Sequence, residues 1–191
     1  TNTKLSDLYK DGLQREQFLP FISIIKNYSI QKELSLKDDY RLKDLNEQQR
    51  LYYPLNESTL FMINKNFREL TRDKKKEIKK INTKGRDFII SNFYDGILRF
   101  KFSDLCDKNL GAEDYINISN ISDHIFIEEI PIFNDDNSNQ QLRFITLIDI
   151  LYEKKVILSL SLECDLNNLG CSRNHVLTFK RTITRLIVLH K

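Results

Sequence analysis

The sequence predicts an α/β protein. Segments with apolar residues at helical spacing alternate along the chain with segments of strand periodicity. Only five Gly and three Pro occur in 191 residues, which leaves most of the chain for regular elements. Twelve Phe and eight Tyr supply large side chains for a core, and an apolar share of 40% against 30% charged describes a globular chain, not a disordered or fibrous one.

Residues 5–28 read as mostly helical. Ser6 is an N-cap candidate, and Gly12 and Pro20 punctuate the segment. Beyond Pro20, the apolar residues Phe21, Ile22, Ile24, Ile25 and Tyr28 recur at helical spacing. A short strand is expected over 34–42. Residues 57–80 read as one amphipathic helix, because Leu60, Ile63, Phe67 and Leu70 make a single stripe, with a charged far end over 72–80. A hairpin follows: a strand over 87–91, an Asp95-Gly96 turn, and a strand over 97–102. There Leu98, Phe100 and Phe102 alternate with Ile97, Arg99 and Lys101, which implies one buried face.

Ser103 is placed to cap a short helix holding Leu105 and Cys106, Gly111 breaks the pattern, and a second helix is expected over 112–118. A strand over 124–130 ends at Pro131. The rest reads as a polar loop over 134–140, an apolar helix over 142–152, a buried strand over 156–162, a loop over 165–174 and a final helix over 176–190.

Charge is nearly balanced in total, at +3, but not along the chain. Residues 65–86 hold ten bases against three acids, while 103–153 hold eleven acids against two bases. Such an asymmetry either orients a partner or forms two solvated faces. Within the basic run, Lys74, Lys75 and Lys76 are candidates for binding a partner. Arg181 and Arg185, four apart on one helical face, call for an acidic neighbour or open water.

Several chemistries are excluded by spacing. Cys106, Cys164 and Cys171 have no zinc-knuckle spacing and no His-x3-His nearby, so no metal site is expected and reduced, mostly buried thiols fit best. No apolar run approaches the length of a membrane span. The sequence contains no G-x-x-x-x-G-K-[ST], no G-x-G-x-x-G and no G-x-S-x-G. It therefore lacks a phosphate-binding loop, because that loop needs clustered glycines to wrap backbone N–H groups around phosphates.

The first segment reads LYKDGLQR from Leu8 to Arg15 and FLPFI from Phe18 to Ile22. Further along stand Asp39-Tyr40-Arg41, Tyr52-Tyr53-Pro54-Leu55, Gly85-Arg86, and Phe102 to Cys106 with Leu110 to Tyr115. Then come Arg143-Phe144-Ile145, Leu147-Ile148-Asp149, Leu151-Tyr152, Phe179, Arg181-Thr182 and Arg185-Leu186. Taken together and in this order, the motifs resemble those of the ZapE cell-division ATPases and their mitochondrial AFG-type counterparts. One departure is Thr184, where the family motif has Ser; residues 164–174 match no motif.

The resemblance implies the C-terminal part of a P-loop NTPase fold of the AAA+ class, with the phosphate loop and acidic metal-binding strand lying before Thr1. It divides the chain into 1–42 (the end of the ATPase core), 43–84 (a helical basic insert) and 85–191 (an α/β and helical part with a lid-like region). It implies Asn2 as the polar sensor, Arg15 as an arginine finger acting on a neighbour's γ-phosphate, and Arg143 as the cis sensor arginine that also contacts nucleotide. ATP and Mg are the cofactors implied for the parent, and none is expected for this chain alone. The implied partners are the P-loop half, further copies in an oligomeric ring, and protein clients of the division machinery. The implied setting is the bacterial cytoplasm, peripheral to the membrane, or the mitochondrion in a eukaryote. A competing reading is a non-enzymatic module that binds an acidic protein or a nucleic-acid backbone through its basic helix. Aromatic residues do not interleave with the basic run, which argues against nucleic acid.

Overall fold

The computed structural model describes residues 15–28 and 50–189, and the chain falls into two compact units, Thr1–Asp39 and Tyr40–Lys191. In the first unit the described residues form one helix, α1 (Arg15–Tyr28). Pro20, a punctuation signal in the sequence, lies inside this helix, where it removes one backbone donor. The strand expected over 34–42 lies outside the described residues.

The second unit is built on a six-stranded mixed sheet in the order β1-β6-β5-β4-β3-β2. Its strands are β1 (Leu51–Tyr52), β2 (Glu77–Thr83), β3 (Arg86–Tyr94), β4 (Ile97–Lys101), β5 (His124–Ile130) and β6 (Ile157–Leu162). β1, β6, β5 and β4 run parallel, while β3 and β2 are antiparallel additions. Helices connect the parallel strands: α3 (Phe102–Cys106) and α4 (Ala112–Asn120) lie between β4 and β5, and α5 (Ser138–Glu153) between β5 and β6. α6 (Val176–Leu189) closes the described chain, and α2 (Glu57–Thr71) lies between β1 and β2. The expected α/β class is what the structure shows.

Alternation along the strands sorts residues onto two faces. Leu98, Phe100, Ile125, Ile127, Leu158 and Leu160 enter the main core with α3, α4, α5 and α6. At its centre Phe102, Phe133, Phe144 and Phe179 pack with ring centroids 5.3 to 5.8 Å apart. Tyr52, Ile97 and Phe126 face the other way and pack under Ile63 and Phe67 of α2. The sheet is therefore covered on both faces, and β4 is buried on both, not on one as its alternation predicts.

Several boundaries differ from the sequence reading: β3 runs to Tyr94 instead of ending at 91, β4 ends at Lys101, α3 starts at Phe102 ahead of the expected Ser103 cap, and two helices differ most. The helix expected over 57–80 stops at Thr71, and 77–83 is a strand. The apolar stripe that defines α2 ends at Leu70, and residues 71–80 hold a single apolar residue, Ile78, so no apolar face carries the helix further. α2 begins where a capping box fixes it: Asn56 Oδ1 accepts from Thr59 N at 2.9 Å, and Asn56 N donates to Thr59 Oγ1 at 3.1 Å. α5 starts at Ser138, inside the segment read as a polar loop, because Gln141 is buried and joins its first turns to the core.

Gly170 closes the loop before α6. Its φ is +71°, and a Cβ there would lie 2.3 Å from the Phe133 carbonyl oxygen. Gly170→Ala is expected to cost about 2 kcal/mol, through left-handed strain and displacement of Phe133. A urea midpoint equal to that of the parent chain would show that the loop yields freely.

Candidate functional site

In open α/β sheets ligands bind at the carboxyl ends of the parallel strands. Here that edge carries a compact polar cluster under α2. Arg99 of β4 reaches Glu128 of β5, with Nη2 2.5 Å from Oε1, and also donates to Asn64 Oδ1 of α2 at 2.6 Å. Its guanidinium lies 4.9 Å from the Phe67 ring centroid. Glu128 is 7% exposed, so its charge is acceptable only because Arg99 meets it.

One residue later the strand departs from regular pairing. The β5–β6 register shifts between Ile127 and Ile130, Glu129 takes φ +61°, and its N–H donates to Ser161 Oγ at 2.9 Å. That turn brings Glu129 to Lys101 Nζ at 2.7 Å. Both carboxylates at the end of β5 are thus committed to cations on β4. Among the described residues no group of three or more His, Cys, Asp or Glu is placed to hold a metal ion. The donors at this edge do not fit the magnesium of a nucleotide.

The α2 face also holds a groove of about 570 Å³, whose lining includes Arg50, Tyr52, Asn66, Glu69, His124 and Ile157. His124 is stacked on Phe126 at 4.7 Å, and its Nε2 lies 2.9 Å from Ser159 Oγ. Burial first, and Arg50 second, push its pKa down to about 4 from an ordinary 6.5. The folded state therefore holds His124 neutral while the unfolded chain protonates it more readily. The resulting stability is complete above pH 6.5 and is lost as pH falls toward 4. By pH 5 the loss is expected to reach about 2 kcal/mol. Urea midpoints at pH 7.5 and 5 should converge between parent and His124→Asn as pH falls; an identical pH slope in both would remove His124 as the cause.

The residues singled out in the sequence fall in separate places. Asn2 lies outside the described residues. Arg15 is the first described residue of α1 and is half-buried. Arg143, near the start of α5, donates from Nη1 to the Cys106 carbonyl at 2.9 Å, at the C-terminus of α3. A cation there also complements the helix dipole. Arg181 and Arg185 of α6 both pair with Asp149 of α5, Arg181 at 3.2 Å. Lys74 bonds to Asp95 at 2.8 Å, whereas Lys75 and Lys76 are exposed and make no ion pair among the described residues. All three cysteines are free; Cys106 is buried, and burial drives its thiol pKa upward, so it is not a poised nucleophile.

The sequence motifs close on one another in space. Arg86 of Gly85-Arg86 meets Asp114, which also accepts from Gly111 N at 2.9 Å. Tyr115 donates its hydroxyl proton to the Leu105 carbonyl at 2.8 Å. Arg143 meets Cys106, and Asp149 meets Arg181 and Arg185. Within this unit the motifs are the fold's own ties. The Arg99–Glu128–Asn64 cluster was missed in the sequence; its only signal is the polar alternation of Arg99, Glu128, Ser159 and Ser161 in otherwise apolar strands.

A parallel sheet with helical crossovers and antiparallel edge strands is consistent with a P-loop NTPase type of fold. The family model described as AFG1-like ATPase matches residues 1–191. The chain belongs to the AFG1-like ATPase family. It is 33% identical over 159 residues to Lactation elevated protein 1 homolog B of Danio rerio, covering 82% of this chain and 32% of that protein. It is 27% identical over 186 residues to Cell division protein ZapE of Escherichia coli, covering 97% of this chain and 50% of that protein. The chain spans half or less of the length of these relatives. No solved structure matches it. Among the described residues no helix is long and apolar enough to cross a membrane.

Proposed function

We propose that this chain is the C-terminal part of an oligomeric ATPase that works on protein clients, and that it contributes an arginine to a site whose phosphate loop lies in another segment. The observation that carries the reading is the family match along the whole chain, combined with a sequence that holds no phosphate loop. A further feature supports it: the acids at the end of β5 are neutralised internally. Arg15 is assigned as the finger because it ends the LYKDGLQR motif of the first segment. A guanidinium suits that role because it stays charged and grips oxygens in pairs. Asn2 is assigned as the polar sensor and Arg143 as the cis sensor arginine, held in orientation by Cys106.

The name of the Escherichia coli relative supports a setting in cell division. The parent would use ATP and Mg, and assemble as a ring of like subunits. In calorimetry the 191-residue chain is expected to show no ATP binding, while a polypeptide that adds the loop-bearing segment binds and hydrolyses it. Micromolar ATP binding by the isolated chain would overturn this reading.

A further inference from the structure

β2 is the last strand of the sheet, and among the described residues nothing pairs with its outer edge. The β2–β3 hairpin also stands largely clear of β4, because β3 and β4 pair only at Phe93–Leu98 and Tyr94–Ile97. One face of the hairpin is anchored to α4, where Asn117 Nδ2 donates to Thr83 Oγ1 at 3.0 Å. The opposite face is open. Ile78 is 72% exposed and Ile89 60% exposed, and Lys80 sits across from Ile89 in the register.

An exposed seven-residue edge strand with apolar side chains is a template for another strand, and proteins rarely leave one unprotected. Here the protection is selective. Residues 74–86 carry seven bases and one acid. Two such edges from copies of this chain would repel each other, so the same lysines that block self-pairing admit an acidic strand. Lys75 and Lys76 lead into β2 without ion pairs among the described residues. The pairs Lys79–Glu77, Lys80–Asp87 and Lys84–Glu113 are solvent-exposed, so exchanging them for a partner's carboxylates costs little. The open face presents isoleucines and no exposed aromatic ring on β2 or β3, which favours a peptide over stacked nucleic-acid bases.

We propose that the outer edge of β2 is a docking strand for an extended acidic segment of a partner protein. The added strand takes its main-chain hydrogen bonds from β2. Its acidic residues meet Lys75, Lys76 and Lys80, and an apolar residue covers Ile78. Docking requires no nucleotide, so it stands or falls separately from the ATPase reading.

The probe is a fluorescent peptide of about ten residues in Glu-Glu-Val-Val repeats, so that each face of its strand alternates Glu with Val, titrated into the 191-residue chain without ATP. Anisotropy should show binding that weakens as salt rises, with slowed amide exchange over 77–83. Methylating alternate backbone nitrogens of the peptide leaves its charge intact but removes its donors; with methylation in both registers tested, at least one should bind about tenfold more weakly. The Lys75→Glu/Lys76→Glu/Lys80→Glu variant, its fold checked by an unchanged melting curve, should also lose binding. Absence of peptide binding, equal binding by every methylated peptide, or tighter binding of a uridine oligonucleotide than of the peptide would each overturn the proposal.

Discussion

Arg15→Ala in the complete ATPase is expected to lower turnover about 10³- to 10⁵-fold while leaving nucleotide binding intact. The size follows from what a finger does. Phosphoryl transfer is catalysed largely by positioning and by cations on the developing charge, so a removed guanidinium is felt in the transition state more than in the bound ground state. Arg15→Lys should recover only part of the rate, because an ammonium cannot make the paired contacts. If the arginine acts across a subunit boundary, a mixing experiment separates this role from a structural one. Subunits with Arg15→Ala but an intact phosphate loop, mixed with subunits that have Arg15 but a disabled loop, should regain turnover that neither shows alone. Unchanged turnover in Arg15→Ala, or no rescue on mixing, removes Arg15 from the role.

What could be read from the sequence follows the range of the interactions involved. The Asp95-Gly96 turn was legible because both residues adopt positive φ, at 44° and 81°, a conformation this residue pair favours. The turn between β2 and β3 has the same form at Lys84-Gly85, with φ of 49° and 80°. Lysine does not advertise that conformation, and with the turn hidden nothing in the sequence separates the preceding strand from the end of α2. β5 matched its expected bounds, because an apolar run ending at proline has few other solutions. Contacts between distant segments left weaker traces. Asp149 and Arg181 are separated by 32 residues and Arg99 and Glu128 by 29, and nothing local marks either pair. The charge asymmetry was visible, but its partial cancellation was not: Lys84 and Arg86 of the basic run meet Glu113 and Asp114 of the acidic one. The sequence marks Arg181 and Arg185 as partner-seeking cations and Arg143 as a sensor arginine; in the fold Arg181 and Arg185 pair with Asp149, and Arg143 donates to the Cys106 carbonyl.

Glu128→Ala should be the most damaging single change at the polar cluster, at about 3–5 kcal/mol, because it leaves Arg99 largely buried opposite no carboxylate. The side chains of Arg99 and Glu128 are only 22% and 10% exposed, so water cannot easily take the place of either partner. Glu129→Ala, one residue further along β5 but with side chains more than half exposed on both partners, should cost under about 1 kcal/mol. The contrast tests burial as the cause, since both pairs join β4 to β5. Arg99→Met with Glu128→Leu removes both charges, and most of the lost stability should return, because an apolar pair of similar size avoids the desolvation penalty. Equal losses for Glu128→Ala and Glu129→Ala would refute the argument. The doubly substituted chain, built into the complete ATPase, then asks what the cluster is for. Restored stability with restored turnover would make Arg99 and Glu128 a device of the fold alone. Restored stability without turnover would mean that the carboxyl edge of this sheet takes part in turnover as well as in the fold.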